Sequence, residues 1–116
     1  MTGEADTPSN PSYQLTETAE GELALILDEI ASKDGVQRAL HVWGKFEKAF
    51  ELLAFQPRSG VKRPKLTGER VRWWFVFKWI VIYDPDVSPT SILRVIYGPR
   101  ELDELLGPDE FDQEDQ

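Results

Sequence analysis

The sequence predicts an α+β domain in which an antiparallel pair of helices packs on a small antiparallel sheet. Apolar residues recur at helical spacing between residues 19 and 53, and residues 71–97 contain segments dense in Val, Ile, Trp, Phe and Tyr. The length of 116 residues, of which 41% are hydrophobic, suits one modest core. We therefore expect a single domain with helices first and most of the sheet afterwards.

The first elements are a short strand and a helix. Tyr13–Leu15 alternates in polarity, and Thr16 is a good N-cap because its hydroxyl can accept a hydrogen bond from the first turn. Gly35 is a suitable end because glycine tolerates left-handed backbone. The residues spaced for one apolar stripe between these two points are Ala19, Leu23, Ile26, Leu27 and Ile30.

A second helix follows at once and ends at Pro57, where the ring stops helix propagation. Trp43 belongs to its apolar stripe, so we expect this side chain in the core. Residues Arg58–Glu69 contain two glycines and one proline, which predict a loop. The stripe that packs the second helix on the first is Ala39, Trp43, Phe46, Phe50 and Leu53.

Three further strands and a short helix complete the expected order. The run from residue 71 to 84 is too long for one strand, so we divide it into Val71–Val76 and Trp79–Tyr83 with a turn at Phe77 and Lys78. Ile92–Tyr97 is the last predicted strand. A short C-terminal helix is expected at Arg100–Leu106, which gives the order β-α-α-β-β-β followed by that helix.

Charge is distributed unevenly along the chain. The net charge is −8, but two acids lie in residues 1–12 and five in residues 108–116, so the remainder is close to neutral. The segment Arg58–Lys78 holds seven basic residues and one acid. We expect residues 1–12 to be a disordered lead-in, residues 13–106 to be the folded domain and residues 107–116 to be a disordered acidic tail.

Composition excludes several kinds of chemistry. The chain has no cysteine and only one histidine, His41, so disulfides, thiolate catalysis and an ordinary zinc site are not expected. We expect no metal and no cofactor. No apolar run approaches the roughly 20 residues that span a bilayer, so a cytoplasmic location without a membrane partner is expected.

Two segments resemble one known family. Residues 13–23, YQLTETAEGEL, are similar to the start of RelE/ParE superfamily toxins from type II toxin-antitoxin pairs. Residues 80–83, IVIY, and 92–102, ILRVIYGPREL, resemble the last strands and the terminal glycine, arginine, acid and leucine pattern of the ParE branch. The resemblance covers roughly residues 13–106.

The resemblance implies two alternative mechanisms. ParE-like toxins bind and inhibit DNA gyrase, and a cognate antitoxin neutralises them. RelE-like toxins are ribosome-dependent endoribonucleases that cut messenger RNA and commonly use a tyrosine near the C-terminus. This chain has Leu105 and Leu106 at that place, so we favour the non-enzymatic ParE-like function. A degenerate member that only binds its antitoxin and co-represses their operon remains a third alternative.

The candidate residues follow from the basic segment, the tryptophan pair and the terminal pattern. Trp73 and Trp74 point to opposite sides of a strand, so we expect one of them at a surface or partner interface. The predicted partner-binding residues are Arg63, Lys65, Arg70, Arg72, Trp74, Arg94, Arg100 and Leu102. In the ribonuclease alternative, with the ribosome and messenger RNA as partners, the catalytic candidates are Arg63, Lys65, Arg72, Arg100 and Tyr97.

Overall fold

The computed structural model describes residues 12–68 and 70–98. Two long helices come between a first short strand and the rest of one sheet. The elements are β1 (Tyr13–Leu15), α1 (Glu17–Asp34), α2 (Val36–Phe55), a 3₁₀ helix (Pro57–Ser59), β2 (Val61–Lys62), α3 (Pro64–Thr67), β3 (Arg72–Val76), β4 (Trp79–Asp84) and β5 (Thr90–Tyr97).

The five strands form one sheet in the order β1-β5-β4-β3-β2. Neighbouring strands from β2 to β5 are antiparallel, whereas β1 is parallel to β5. The α+β class and the helical hairpin packed on a small sheet are therefore confirmed. The sheet is mixed and not purely antiparallel as expected, because β1 runs parallel to β5; a parallel pair needs a long connection, and the helical hairpin and the strands β2 to β4 provide it.

The ends of α1 are set by local chemistry. The Ala19 N–H donates to the Thr16 hydroxyl at 3.1 Å, which satisfies one of the otherwise unpaired amides of the first turn. Gly35 has φ 98°, and its N–H donates to the Ala31 carbonyl. Because α2 begins at the next residue, this glycine reverses the chain and makes the two helices antiparallel.

The main core lies between the helical hairpin and one face of the sheet. Phe46 and Phe50 of α2 are completely buried there, and Phe46 packs against Trp79 with 5.7 Å between ring centroids. The other fully or almost fully buried members are Ala19, Leu23, Val42, Leu53, Val81, Tyr83, Ile92 and Val95. Trp43 is only partly buried at the margin of this core, although the sequence predicted it inside.

A second, smaller core covers the opposite face of the sheet. Trp73 is fully buried there together with Ile80, Ile82 and Ile96, and Leu66 of α3 packs against them. On the helix side, by contrast, Trp74 is partly buried against the main core. The two tryptophans do point to opposite faces, but neither is fully exposed, because Leu66 of α3 packs over the face of Trp73 and Trp74 packs against the main core.

The segment predicted to be a loop, Arg58–Glu69, contains regular structure. Pro57 and Pro64 occupy the first positions of the 3₁₀ helix and of α3, where their fixed φ angle suits a helix start. Between them, β2 pairs with Arg72 and Trp73. The loop prediction was wrong because turn residues indicate local breaks and carry no information about pairing with a distant strand.

The turn between β3 and β4 at Phe77 and Lys78 is confirmed, and Phe77 has φ 54°. β4 ends one residue later than predicted and β5 starts two residues earlier, at Thr90. The predicted helix at residues 100–106, the lead-in and the acidic tail fall beyond the described residues. None of the helices in the described ranges is long and apolar enough to cross a membrane.

Candidate partner-binding site

Arg72 fastens the basic segment to the sheet. Its Nη1 atom donates to the Gly60 carbonyl at 2.8 Å and to the Arg58 carbonyl at 3.2 Å. The Tyr83 hydroxyl donates to the Pro57 carbonyl at 2.6 Å and accepts a hydrogen bond from the Gly60 N–H at 2.8 Å. Arg72, predicted as a site residue, therefore holds residues 57–60 in place with one of its guanidinium nitrogens.

Arg63 lies on the opposite face of the sheet from Arg72. Its guanidinium carbon is 5.4 Å from the centroid of the Trp73 ring, which is a cation-π distance. Arg72 is paired with Tyr83, whose side chain belongs to the helix-side core, whereas Trp73 belongs to the second core. The sheet thus separates two arginines that the sequence placed in one site.

Arg70 pairs with Asp84 at the end of β4, with 2.5 Å between Nη2 and Oδ2. Burial alone would raise the pKa of Asp84, but hydrogen bonds from the Asp86 N–H and from Arg70 outweigh it and lower the pKa. The same carboxylate raises the pKa of Arg70 through the hydrogen bond and the charge. This pair therefore stays ionised near neutral pH and stabilises the turn after β4.

Arg94 attaches β5 to α1. Its guanidinium donates twice to Oε2 of Glu22, at 2.6 and 2.8 Å. The other oxygen of the same carboxylate accepts a hydrogen bond from the Val95 N–H at 2.8 Å. Strand β1 pairs only with residues 90–92 of β5, so the Val95 N–H has no strand partner on that side. Glu22 accepts its hydrogen bond instead, and Arg94 holds the Glu22 carboxylate in place.

Tyr97 lies far from the basic segment. It pairs with Trp79, which pairs with Val76, so it is at the turn end of the sheet, whereas Arg72 is at the other end of β3. Four residues along a strand span about 13 Å, and two strand spacings add roughly 10 Å sideways, so these residues lie about 16 Å apart. The buried side chain of Val81 lies between them. The Arg72 guanidinium is also directed at the Gly60 and Arg58 carbonyls, so the two side chains do not converge on one point.

The remaining predicted site residues differ in their burial and in their position on the fold. Lys65 is exposed on α3, and Trp74 is half-buried against the main core. Arg100 and Leu102 lie outside the described residues. The Lys78 ammonium is 5.7 Å from the ring centroids of both Trp79 and Tyr97, so Tyr97 contributes to a cationic, aromatic end of the sheet.

Acid–base chemistry has few candidates among the described residues. Burial raises the pKa of the Tyr83 phenol more than the Gly60 hydrogen bond and the charges of Arg72 and Arg58 lower it. Its proton is donated to the Pro57 carbonyl, and its oxygen accepts from the Gly60 N–H. His41 is exposed on α2. Within residues 12–68 and 70–98, no three His, Cys, Asp or Glu side chains are placed to hold a metal ion.

The structure reveals an apolar cleft that the sequence predictions missed, between α1 and α2 near their connection. Its volume is about 400 Å³. Val36 and Leu40 line it and remain largely exposed, with 64% and 58% of their surface accessible. Together with Trp43 they form a second apolar row on α2, with residues three to four positions apart. This spacing is visible in the sequence and could have predicted an apolar surface here. The full lining is Leu27, Asp28, Ala31, Val36, Ala39, Leu40 and Trp43.

Comparison with known proteins agrees with this architecture. The fold is similar to that of a chain from the structure of a chromosomal ParDE toxin-antitoxin system from P. aeruginosa, with a TM-score of 0.62 and 21% sequence identity. The match covers 75% of this chain and 95% of that chain. No protein of curated function matches the sequence. A family model for the ParE toxin of the type II toxin-antitoxin system, parDE, matches residues 13–102. The chain therefore belongs to the ParE toxin family of type II toxin-antitoxin systems.

Proposed function

We propose that this toxin inhibits DNA gyrase by binding it and that a cognate antitoxin neutralises the toxin. Family membership supports an antitoxin partner, because the matching family is defined as one half of a toxin-antitoxin pair. The P. aeruginosa structure is titled as a ParDE system, which is consistent with the same pairing. The more specific part of the proposal is that the target is DNA gyrase.

The observation that carries the proposal is the contrast between anchored basic side chains and exposed apolar ones. Arg70, Arg72 and Arg94 make hydrogen bonds within the fold, and Arg63 stacks on a buried tryptophan. Phosphoryl-transfer catalysis needs cationic groups directed together at one phosphate. These arginines instead lie on different faces and edges of the sheet, which favours a binding protein.

The apolar cleft of the hairpin offers a surface for such binding. Exposed apolar side chains that line a concave surface lose contact with water when a partner covers them, and this is the main source of binding free energy. Leu40 is central because it is exposed, lines the cleft and lies on the long helix α2. We propose that this cleft faces the target protein.

The ribonuclease alternative would use the exposed cations of the basic segment. Lys65 is the described catalytic candidate that combines an accessible ammonium with a place in that segment. A nuclease would also need a group that takes the 2′-hydroxyl proton. Tyr97 is about 16 Å from Arg72 by the strand geometry given above. Cleavage centred on Arg72 would thus require a proton acceptor other than Tyr97.

The test is a pair of reactions with the purified full chain. Gyrase supercoiling of relaxed plasmid is measured beside a translating-ribosome reaction in which message cleavage is read by primer extension. The proposal predicts inhibited supercoiling and intact message, and co-purified antitoxin should restore supercoiling. Cleaved message with normal supercoiling would overturn the proposal, and loss of that cleavage in Lys65→Glu would establish the ribonuclease.

A further inference from the structure

The β3–β4 turn, Phe77 and Lys78, holds a bulky residue in a backbone conformation that suits glycine. The two strands pair as far as Val76 and Trp79, which leaves two residues for the turn. Both favoured turns of this length require a positive φ at the first residue, and Phe77 has φ 54°. With this φ the Cβ atom crowds the following carbonyl oxygen. Position 77 therefore carries a backbone strain that glycine would remove.

Burial of the Phe77 ring does not explain why phenylalanine occupies this position. The side chain is 55% exposed, although an aromatic ring stabilises a fold mainly by leaving water. Tyr97, in the strand next to β4, is also exposed near the turn, at 41%. The turn thus presents a strained aromatic ring to solvent. Such a conflict between local preference and the residue present is typical of a functional site.

The β3–β4 turn is fastened to the end of β5. The Gly98 N–H donates to the Lys78 carbonyl at 2.7 Å. A Cβ atom at position 98 would lie 2.8 Å from that same oxygen, so only glycine permits this approach. The Lys78 ammonium is 5.7 Å from the ring centroids of both Trp79 and Tyr97, which positions its charge beside the turn. A turn held in this way loses little conformational entropy when a partner covers it.

The turn lies at the same end of the molecule as the cleft between α1 and α2. The first turns of α1 contact β5 at Leu93 and then at Val95, so the helix runs in the same direction as the strand. Beyond that contact, α1 continues from Glu22 to Asp34, about 18 Å, whereas β5 continues from Val95 to Tyr97, about 7 Å. The helix connection that borders the cleft therefore lies at the turn end of the sheet, and one partner can cover both features.

The charges around the turn indicate the kind of surface that it fits. Residues 72–83 and 90–98, which form β3, β5 and nearly all of β4, contain no acid. A projecting apolar ring beside a fixed cation is complementary to an apolar pocket with carboxylates at its rim. Two copies joined turn to turn would bring their Lys78 ammonium groups together, and like charges repel. The net charge of −8 disfavours a nucleic acid, so another protein is favoured.

We propose that the β3–β4 turn inserts the Phe77 ring into an apolar pocket, rimmed with carboxylates, on the protein that this toxin inhibits. The inference rests on the proposed function and adds a second contact to the one made by the cleft. Phe77 fills the pocket, Lys78 pairs with a carboxylate at the rim, and Gly98 keeps the turn in place. Aromatic anchors of this kind commonly supply much of the binding free energy of an interface.

The first test compares Phe77→Gly with Phe55→Ala in the full chain. Phe55 is 60% exposed at the end of α2 remote from the turn. Phe77→Gly removes the backbone strain, so its urea midpoint should equal or exceed that of the wild type. It should nevertheless need at least about tenfold more protein to inhibit gyrase supercoiling, whereas Phe55→Ala should inhibit like the wild type. A lower midpoint, or unchanged inhibition by Phe77→Gly, would contradict the proposal.

The second test changes charge without changing the turn conformation. Lys78→Glu places a carboxylate against the acidic rim and should need at least about tenfold more protein for the same inhibition. Lys62→Glu makes the same change in net charge on β2, which pairs with the other end of β3, and should alter inhibition by about twofold or less. Equal effects of the two variants would show that the turn does not meet an acidic surface.

Growth arrest of cells that express the toxin without an antitoxin separates failure of this inference from failure of the proposed function. Inhibition of supercoiling by the wild type and Phe77→Gly alike removes the turn contact and leaves the proposed function intact. If the wild type arrests growth with normal supercoiling and intact message, gyrase is the wrong target, and the turn contact then requires that Phe77→Gly lose the arrest. Cleaved message, or a wild type that neither arrests growth nor inhibits supercoiling, would refute both.

Discussion

Gly60 and Tyr83 are joined by a 2.8 Å hydrogen bond in which the glycine N–H donates to the tyrosine hydroxyl. A Cβ atom at position 60 would lie 2.5 Å from that hydroxyl oxygen and 2.8 Å from the backbone oxygen of Trp73. Gly60→Ala should therefore lower the free energy of unfolding by about 1–3 kcal/mol, measured by urea denaturation. Gly44→Ala is the matched control, because a Cβ at this helical position meets no atom within 4 Å. It should stabilise by about 0.5–1 kcal/mol.

The Tyr83 hydroxyl itself can be removed without changing the ring. Tyr83→Phe leaves the buried Gly60 N–H and the Pro57 carbonyl without their partner, which should cost about 1–3 kcal/mol of unfolding free energy. Tyr97→Phe, at an exposed tyrosine, should change stability by no more than about 0.5 kcal/mol. Equal effects of the two substitutions would show that the hydroxyl does not anchor residues 57–60.

Glu22 connects α1 to the edge of β5. Glu22→Ala removes the acceptor of the Val95 N–H and the partner of Arg94, so we expect a loss of about 1–2 kcal/mol in chemical denaturation. Glu29→Ala, on the same helix, breaks only an exposed pair with Lys33 and should leave the free energy of unfolding nearly unchanged. Unfolding of both variants at the same denaturant concentration would show that Glu22 does not hold β5 to α1.

Asp84 makes stability depend on pH in the acidic range. Its pKa in the folded chain is below the ordinary value of 3.8, so the unfolded chain binds the proton more readily. The resulting stabilisation is complete above the unfolded-state pKa and is lost as pH falls through the folded-state pKa. Unfolding free energy measured from about pH 5 to about pH 2 should therefore fall less steeply for Asp84→Asn than for the wild type. Parallel curves would contradict this assignment.

Local signals explain why the sequence predicted most of the fold. Thr16 and Gly35 set the ends of α1 through contacts within one helical turn, so their roles can be inferred without knowing the tertiary structure. The apolar run of residues 71–84 is likewise too long for one strand, and this local feature predicted the turn at Phe77 and Lys78. The pairing of β1 with β5 joins residues about 77 positions apart, and no local pattern specifies whether such a pair is parallel.

The candidate site was less predictable because side-chain partners are determined by tertiary structure. A cluster of cations in sequence indicates one basic surface, but the alternation of β3 sends Arg72 and the Arg63-stacked Trp73 to opposite faces. Arg94 finds Glu22 across 72 positions of sequence. The hairpin cleft depends on how closely α1 and α2 pack near Gly35, which their apolar stripes alone do not specify.

The most direct measurement is gyrase supercoiling titrated with the wild-type toxin, Leu40→Glu and Leu25→Glu. Both leucines are exposed helical residues, at 58% and 70%, but only Leu40 lines the cleft. We predict that the wild type and Leu25→Glu inhibit supercoiling alike, whereas Leu40→Glu requires at least about tenfold more protein because a carboxylate buried at the interface is costly. Absence of inhibition by the wild type, or equal inhibition by all three proteins, would contradict a toxin that acts by binding gyrase through this cleft.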